Sequence, residues 1–256
     1  MATAKNVDSG EISVLEVVQG QITVCILGTT PMINNRMSQK VWMELLAPKG
    51  KKTAADKAST MKHDPIQEFR DSPYMMPAGK PTALGILPTA FKRAIGTAAL
   101  DMPGARKSQM MRLIEVPAEM TGIYGLPEVF MAITRSADIN HTPDVRTRAI
   151  LPEWCCELSI KYTKPMLREQ TIANLLAAAG FQCGVGDWRQ EKGSGSYGAF
   201  KLVDANNPDF QRIKKTQGRE AQLDALKNPV AHNDETNEML AWFDVEIRRR
   251  GFKVAA

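Results

Sequence analysis

Six segments of this 256-residue sequence alternate between strand and helix patterns, in the order strand, helix, strand, strand, helix, strand. Two of them carry most of the prediction. Residues 21–27 (QITVCIL) are rich in β-branched side chains and close on a Gly-Thr-Thr-Pro turn, which is typical of a core strand. Residues 166–181 place apolar side chains at helical spacing and meet a stop signal at Gly180. The sequence therefore predicts an α+β fold with a ferredoxin-like β-α-β-β-α-β core.

The first helix of this core is predicted at residues 88–100. Pro88 stands in its first turn, where the missing N–H of proline costs nothing, and the apolar residues that follow make one stripe. Lys92 and Arg93 project from the first turn and a half. Helix N-termini attract anions and nearby cations add to that attraction. These two residues are therefore candidate phosphate ligands, with plain surface cations as the alternative.

Three further strands are predicted at residues 121–134, 153–162 and 197–203. The resulting element order is shared with the RNA-recognition fold. The first strand, QITVCIL, contains no aromatic residue, however. We therefore do not expect the base-stacking sheet face that is usual in that fold.

The sequence shows no internal repeat and no linker that would separate two domains, so we expect one domain over residues 1–256. The core is expected over residues 20–203. It has one insertion after the first strand, at 31–86, and another between the second and third strands, at 135–152. Residues 204–256 are expected to form a C-terminal helical extension.

The excursion at residues 135–152 is long for a compact domain, and such loops are either functional or disordered. It carries three arginines, Arg135, Arg146 and Arg148. The last two are two positions apart and would point the same way from an extended backbone. We expect them either on a binding surface or in ion pairs with Asp138 or Asp144.

The insertion after the first strand begins with apolar residues at helical spacing over 32–46. Arg36 and Lys40 are four apart and share a face of this predicted helix. Residues 48–64 are rich in lysine and favour a solvated surface segment. Residues 65–81 contain too many prolines for a regular element, which predicts a loop or a small hairpin.

Residues 180–203 join the second predicted helix to the last strand and contain a run of glycines interleaved with cations and aromatic rings. Glycines let a backbone approach phosphates closely, and cations beside an indole suit a sugar-phosphate chain with exposed bases. The alternative is a flexible hairpin loop whose Trp188 plugs the core. The candidate binding residues of this segment are Trp188, Arg189, Lys192, Gly193 and Gly195.

Composition and charge limit the classes of function that this sequence can have. The formal net charge of +5 favours polyanionic partners, but only mildly. Four cysteines without a CxxC pair and three histidines give no zinc-ligand spacing, so we expect no metal and no cofactor. No apolar run approaches the roughly 18 residues of a membrane helix, and the start of the sequence has no apolar signal segment. We expect a cytoplasmic protein with reduced thiols.

Two motifs resemble the RAMP superfamily. They are the helix opening PTAFKRAIG and the glycine-rich G-V-G…G-S-G-S-Y-G-A-F loop before the last strand. Within that superfamily the sequence is most similar to the CRISPR effector backbone subunits that line up along a guide RNA. The strand ending Gly28-Thr29-Thr30-Pro31 also resembles phage-type proteins. The residues that match the two motifs are Pro88, Phe91, Lys92, Gly193, Gly195 and Gly198.

The resemblance implies a non-catalytic protein that binds single-stranded nucleic acid; RNA is the favoured partner, and single-stranded DNA stays open as the other. Copies of the chain would lie side by side along the strand, with other effector subunits as further partners. It implies that Lys92 and Arg93 neutralise phosphates near the helix start, and that the glycine-rich loop presses against the strand. Arg146 and Arg148 would reach over the strand or onto the next copy.

Two other classes remain open. The first is a RAMP-type endoribonuclease, either metal-independent with His63, His141 or Asp64 as acid or base, or dependent on an aspartate such as Asp64 or Asp71 in the insertion. The second is a phage-type assembly protein whose basic residues serve protein contacts. Labelled RNA separates the first from a binder, because only a nuclease gives discrete products.

Overall fold

The computed structural model describes residues 16–46, 63–135, 141–192 and 195–251. Its strands are β1 (Val18–Gly28), β2 (Met32–Ile33), β3 (Tyr74–Met75), β4 (Leu84–Ile86), β5 (Ile114–Glu115), β6 (Thr121–Ile123), β7 (Glu128–Arg135), β8 (Pro143–Leu151), β9 (Cys155–Lys164) and β10 (Phe200–Val203). Its helices are α1 (Gln39–Leu46), α2 (Pro65–Asp71), α3 (Pro88–Ala98), α4 (Lys107–Leu113), α5 (Glu169–Gln182), α6 (Pro208–Thr216), α7 (Arg219–Lys227) and α8 (Asp234–Arg250), with one 3₁₀ turn at Gln190–Lys192. The chain is thus a mixed α+β protein.

The largest sheet has four strands in the order β10-β1-β9-β5, and every neighbouring pair is antiparallel. β1 lies inside this sheet, because its alternating apolar side chains can be covered on one face along most of its length. Helices α3 and α5 cover that face. Ile26, Leu158 and Ile160 of the sheet pack there with Phe91 of α3 and Leu176 of α5.

The opposite face of the sheet is only partly covered. Helix α6 places Phe210 over one end, where the ring packs with Leu27 of β1. Further along the same face, Gln21 of β1 stands opposite Lys161 of β9, and the hydroxyls of Thr23 and Ser159 lie 2.9 Å apart. The uncovered part of the face is therefore polar, as expected from a first strand without aromatic residues.

The single strand predicted at 121–134 is wrong, because the chain turns in its middle. Gly125 has a φ of 144°, which only glycine adopts readily, and Pro127 follows. The first half becomes β6, which pairs with β4, and the second half becomes β7, which pairs with β8. The position beside β9 in the four-stranded sheet is taken instead by the two residues of β5.

The segment that follows β7 also differs from the prediction of a loop. Residues 143–151 form β8, which pairs with β7 in a hairpin from Glu128↔Ile150 to Arg135↔Pro143. The short strand β2 pairs with the other edge of β8 and completes a three-stranded sheet. The excursion predicted at residues 135–152 is thus, over residues 143–151, a strand of a regular sheet rather than an irregular loop.

Two further expectations need correction, and a third cannot be compared with the described residues. The helix predicted over 32–46 begins only at Gln39, because Met32 and Ile33 pair with β8. Residues 65–81 contain a helix as well as a hairpin strand, since Pro65 opens α2 and the Asp64 carboxylate accepts from the Gln67 N–H, 3.1 Å away. Residues 48–62 lie outside the described residues.

Gly180 does not end α5, which runs on to Gln182. A Cβ at Gly180 would lie 2.2 Å from the carbonyl oxygen of Phe200 in β10. Its missing side chain therefore permits close contact between the helix and the last strand, rather than a helix stop. In the described part of the chain, no helix is long and apolar enough to cross a bilayer.

Candidate nucleic-acid interface

The outer face of the β7–β8 hairpin carries both arginines expected to point the same way. Side chains alternate along a strand, so Arg146 and Arg148 project from one face of β8. Register places them opposite Ala132 and Phe130 of β7, respectively. Arg146 is half exposed, whereas Arg148 is 18 % exposed. The two cations therefore lie at different depths on one surface.

The loop over residues 184–198 packs on that same face. The Asp187 N–H donates to the Ile33 carbonyl, 2.9 Å away, which fixes the loop to β2. The Trp188 ring meets Phe130 edge to face at a centroid distance of 5.8 Å, and Tyr197 lies 6.3 Å from Trp188. Both loop rings remain half-buried. Trp188 thus packs on a small satellite cluster with Ile33 and Phe130, outside the main core.

Arg148 is the residue that joins the hairpin to the loop. Its Nη1 lies 2.9 Å from a carboxylate oxygen of Asp187. Its Nε is buried and has no hydrogen-bond partner in the described part of the chain. Burial lowers the pKa of the guanidinium, and the charge of Asp187 opposes that shift. This half-buried cation therefore has unused hydrogen-bonding capacity.

The other two arginines of the surface are also paired with acids. Arg146 lies 3.0 Å from Asp144, one of the two partners expected from the sequence. Arg189 contacts Glu191 at 2.8 Å and donates a further hydrogen bond to a loop carbonyl. Hydrogen bonding to Arg189 helps to keep the pKa of Glu191 below its usual value, against an opposing effect of burial.

Glu191 also connects this loop to α3. Its second carboxylate oxygen accepts a hydrogen bond of 3.1 Å from the Thr97 hydroxyl in the last turn of α3. Arg93 is four residues earlier on the same helix face, about 6 Å from Thr97 between Cβ atoms. Lys92, the preceding residue, points about 100° away from Arg93 around the helix axis. The exposed Arg93 is thus on the helix face that bears Thr97, and the less exposed Lys92 lies to one side.

The Cys183 thiol follows the end of α5, where charged residues from several elements affect its pKa. Burial raises that pKa most, and the negative charges of Glu191 and Asp101 raise it further. Arg189 of the loop and Lys107 of α4 act in the opposite direction. Cations from the loop and from α4 therefore act on the same end of this helix, and Lys107 was not among the residues singled out from the sequence.

The remaining candidate residues lie elsewhere or outside the description. Arg135 is exposed at the end of β7, and its parity along the strand directs it to the hairpin face opposite that of Arg146. Arg36 is exposed before α1, and its N–H is bonded to the Ser72 carbonyl. Lys192 is exposed at the end of the 3₁₀ turn. Gly193 and the side chain of Lys40 lie outside the described residues.

Gly195 faces protein. A Cβ at this position would lie 1.5 Å from the carbonyl oxygen of Trp188, so the loop backbone already fills the space that glycine leaves. Trp188 itself has a φ of 49°, a left-handed conformation that bulky residues rarely adopt. Close contact between these two residues therefore holds the Trp188 backbone in an unusual geometry.

The residues considered for nuclease chemistry have structural contacts. Asp64 caps α2, and Asp71 accepts a hydrogen bond of 2.8 Å from the side chain of Gln67. His63 lies between two acids, with Nδ1 2.8 Å from Glu68 and Nε2 2.9 Å from Asp144. Within the described residues, no group of three or more His, Cys, Asp or Glu could hold a metal ion.

Sequence reasoning did not single out Asp187 or Phe130 as parts of this surface. Asp187 directly precedes Trp188, and Phe130 falls on the predicted strand that became β7. Their places follow from the packing of the loop on the hairpin, which no local pattern reveals.

Comparison with known proteins identifies no family for this chain. No family model matches this sequence, and no curated protein matches it. Among solved structures, the chain is similar to the crystal structure of Cmr6 from Pyrococcus furiosus, with 11% sequence identity and a TM-score of 0.33. The match covers 73% of this chain and 98% of that chain. A likeness of this size establishes neither the fold family nor the function of this protein.

Proposed function

We propose that this protein binds single-stranded nucleic acid, RNA rather than DNA, without cleaving it. The binding surface is the outer face of the β7–β8 hairpin together with the loop over 184–198, which we call the hairpin–loop surface. The observation that carries the proposal is the packing of two half-buried rings, Trp188 and Tyr197, on Phe130, the residue directly opposite Arg148 in the hairpin.

The chemistry of this surface matches an unpaired strand. Aromatic rings stack on bases of any sequence, and each stacked base contributes about 1–3 kcal/mol. Arginines contact phosphates through a planar fork of donors. Arg146 and Arg148 are adjacent on one strand face, Arg189 lies within the loop, and Arg93 shares a helix face with Thr97, which bonds to the loop residue Glu191. Bases on the rings and phosphates on the arginines would together fix the strand without sequence preference.

The strand order of the large sheet supports a ferredoxin-like core, with β1, β5, β9 and β10 as its strands and α3 and α5 as its helices. We propose that this core belongs to a single domain, and that the β7–β8 hairpin extends from it between the second and third core strands. A RAMP-type arrangement then places the hairpin–loop surface beside the core rather than on the polar open face of its sheet.

Self-association is part of the proposal. Helix α1 exposes more than half of the side chains of Trp42, Leu45 and Leu46. Apolar groups clustered in this way mark a protein contact, and side-by-side copies along a strand would cover them. Sedimentation with and without a long single-stranded RNA tests this: Leu46→Glu should reduce assembly along the RNA. Assembly equal to that of the wild type would remove α1 from the contact.

Binding is tested with a fluorescent single-stranded RNA of uniform sequence, by anisotropy at low salt. Arg146→Gln combined with Arg148→Gln should lower the affinity by on the order of tenfold. The slope of log affinity against log salt should fall by about 0.7 for each phosphate that the variant no longer neutralises. Arg212→Gln is the matched control, because Arg212 pairs with Glu153 beside α6, away from the surface.

The outcomes separate the candidate functions. Equal affinity of the double variant and the wild type would remove the hairpin–loop surface as the binding site. Discrete products from end-labelled RNA, abolished by substitution of His63 or Asp64, would support the nuclease instead. A wild type that assembles but binds no nucleic acid at low salt would support an assembly protein.

A further inference from the structure

Each guanidinium of the hairpin–loop surface already faces a carboxylate from the same surface. The pairs are Arg146 with Asp144, Arg148 with Asp187, and Arg189 with Glu191. Three positive and three negative side chains cancel, so these six residues present no net charge. A surface proposed to receive a polyanion is therefore locally neutral when it is empty.

The Arg148–Asp187 pair leaves a guanidinium nitrogen unused, unlike the Arg212–Glu153 pair. Arg212 and Glu153 form two parallel hydrogen bonds of 2.7 and 2.9 Å, which use both terminal nitrogens of the guanidinium. Arg148 contacts Asp187 through Nη1, and its buried Nε has no partner in the described residues. An acceptor that reached both edges of this guanidinium would therefore satisfy it better than Asp187 does.

The Asp187 side chain can turn away from Arg148 without unfolding the loop. Its backbone N–H is bonded to the Ile33 carbonyl, and the neighbouring Trp188 ring is held by Phe130. These interactions involve the backbone and the next residue rather than the Asp187 carboxylate. Rotation of one side chain is then enough to release the Nη1 of Arg148 from its carboxylate.

We propose, on the basis of the proposed function, that Asp187, Asp144 and Glu191 act as competing anions. They compete with phosphates for the three arginines and so restrict the ligand to a chain of consecutive phosphodiesters. A single phosphate would gain one arginine while displacing one carboxylate, so the exchange is nearly balanced. A strand makes several such exchanges, all but the first of them within one bound molecule, and can stack bases on both Trp188 and Tyr197, whereas a mononucleotide gains one exchange and one stacked base. The acids therefore exclude mononucleotides and free phosphate while admitting a polynucleotide.

Asp187→Asn tests the proposal, because it keeps the size of the side chain and an acceptor for Arg148 but removes the charge. We expect it to tighten binding of a single-stranded RNA by about three- to tenfold and to steepen the salt slope by about 0.7. It should also make binding of a mononucleotide measurable in competition with the labelled RNA. The charge-matched control is Glu157→Gln, whose carboxylate pairs with Lys214 on the α6 side of the large sheet.

Two backgrounds separate the failure of this proposal from the failure of the proposed function. In an Arg148→Gln background the gain from Asp187→Asn should disappear, because the acid acts through that arginine. If Arg148→Gln weakens binding but Asp187→Asn gains no more than Glu157→Gln does, the competing-anion proposal is overturned and the binding surface stands. If Arg148→Gln leaves RNA affinity unchanged, the binding surface itself is overturned.

Discussion

Gln222 on α7 offers a sharp test of the packing between the C-terminal helices and the sheet that contains β4 and β6. Its side chain is completely buried. Its oxygen accepts from the Ala83 and Leu84 N–H groups at 2.7 and 3.1 Å. Its nitrogen donates to the Ile123 and Gly125 carbonyls at 2.7 and 3.0 Å. One amide therefore satisfies four backbone groups and ties α7 to the ends of β4 and β6.

Gln222→Met keeps the length of the side chain and removes all four hydrogen bonds. Each buried backbone group left without a partner costs about 1–3 kcal/mol, and local relaxation recovers part of that cost. We expect a loss of about 4 kcal/mol, a large share of the roughly 5–15 kcal/mol that holds a typical protein folded. For a chain of this size, about 4 kcal/mol corresponds to a melting temperature lower by roughly 8–16 °C.

Thermal unfolding followed by circular dichroism measures this shift, with denaturant unfolding as a second readout. Gln170→Met is the matched control, because Gln170 is exposed on α5 and bonds only to Asn174 within the described residues. The control should change the free energy of unfolding by less than about 0.5 kcal/mol. If Gln222→Met lowers the melting temperature by no more than the control does, the four hydrogen bonds do not contribute as the geometry implies.

Three other predictions concern the loop and the C-terminal helix. Gly198→Ala should destabilise the protein by at least about 2 kcal/mol in denaturant unfolding, because Gly198 has a φ of 74° and a Cβ there would lie 1.7 Å from the Val185 carbonyl oxygen. Trp188→Leu should weaken RNA binding by about tenfold with an unchanged salt slope, because stacking rather than charge is removed; a changed slope would assign Trp188 another role. Hydrogen bonds from Arg249 and Arg250 lower the pKa of Glu246 to about 2. Since this pKa is depressed, Glu246 should stabilise the fold above about pH 4.3, an effect lost as the pH falls toward 2; stability curves of wild type and Glu246→Gln that stay parallel from pH 6 to 2 would contradict this.

Strong local periodicity made much of the large sheet predictable. β1, α3 and β9 fall within a few residues of their predicted bounds, because each has a long run of apolar residues at one clear spacing. β5 was not predicted, since two residues carry no period at all. The strand predicted at 121–134 was wrong because alternation continues across a turn that Gly125 and Pro127 impose. Short strands and broken patterns are determined by tertiary pairing rather than by local sequence.

The ion pairs of the arginines on the proposed surface likewise include one that the sequence predicted and one that it did not. The common direction of Arg146 and Arg148 follows from their spacing on any extended chain, and Asp144 was an evident partner two residues away. The pairing of Arg148 with Asp187 joins residues from different elements, so it depends on how the loop packs on the hairpin. The cations and the nearby acid Asp144 could thus be identified from sequence, whereas Asp187, which comes from another element, could not.

The backbone contacts of the glycine-rich loop point to a different role for its glycines than the sequence suggested. From sequence, its glycines suggested close approach to phosphates. In the fold, Gly195 is in contact with the Trp188 carbonyl and Gly198 with that of Val185, so the loop packs against itself. A loop fixed in this way holds the Trp188 ring on Phe130 before any ligand arrives, which lowers the entropy cost of stacking a base. The glycines would then support binding indirectly, so Gly198→Ala should impair stability and RNA affinity together, whereas Trp188→Leu should mainly impair affinity.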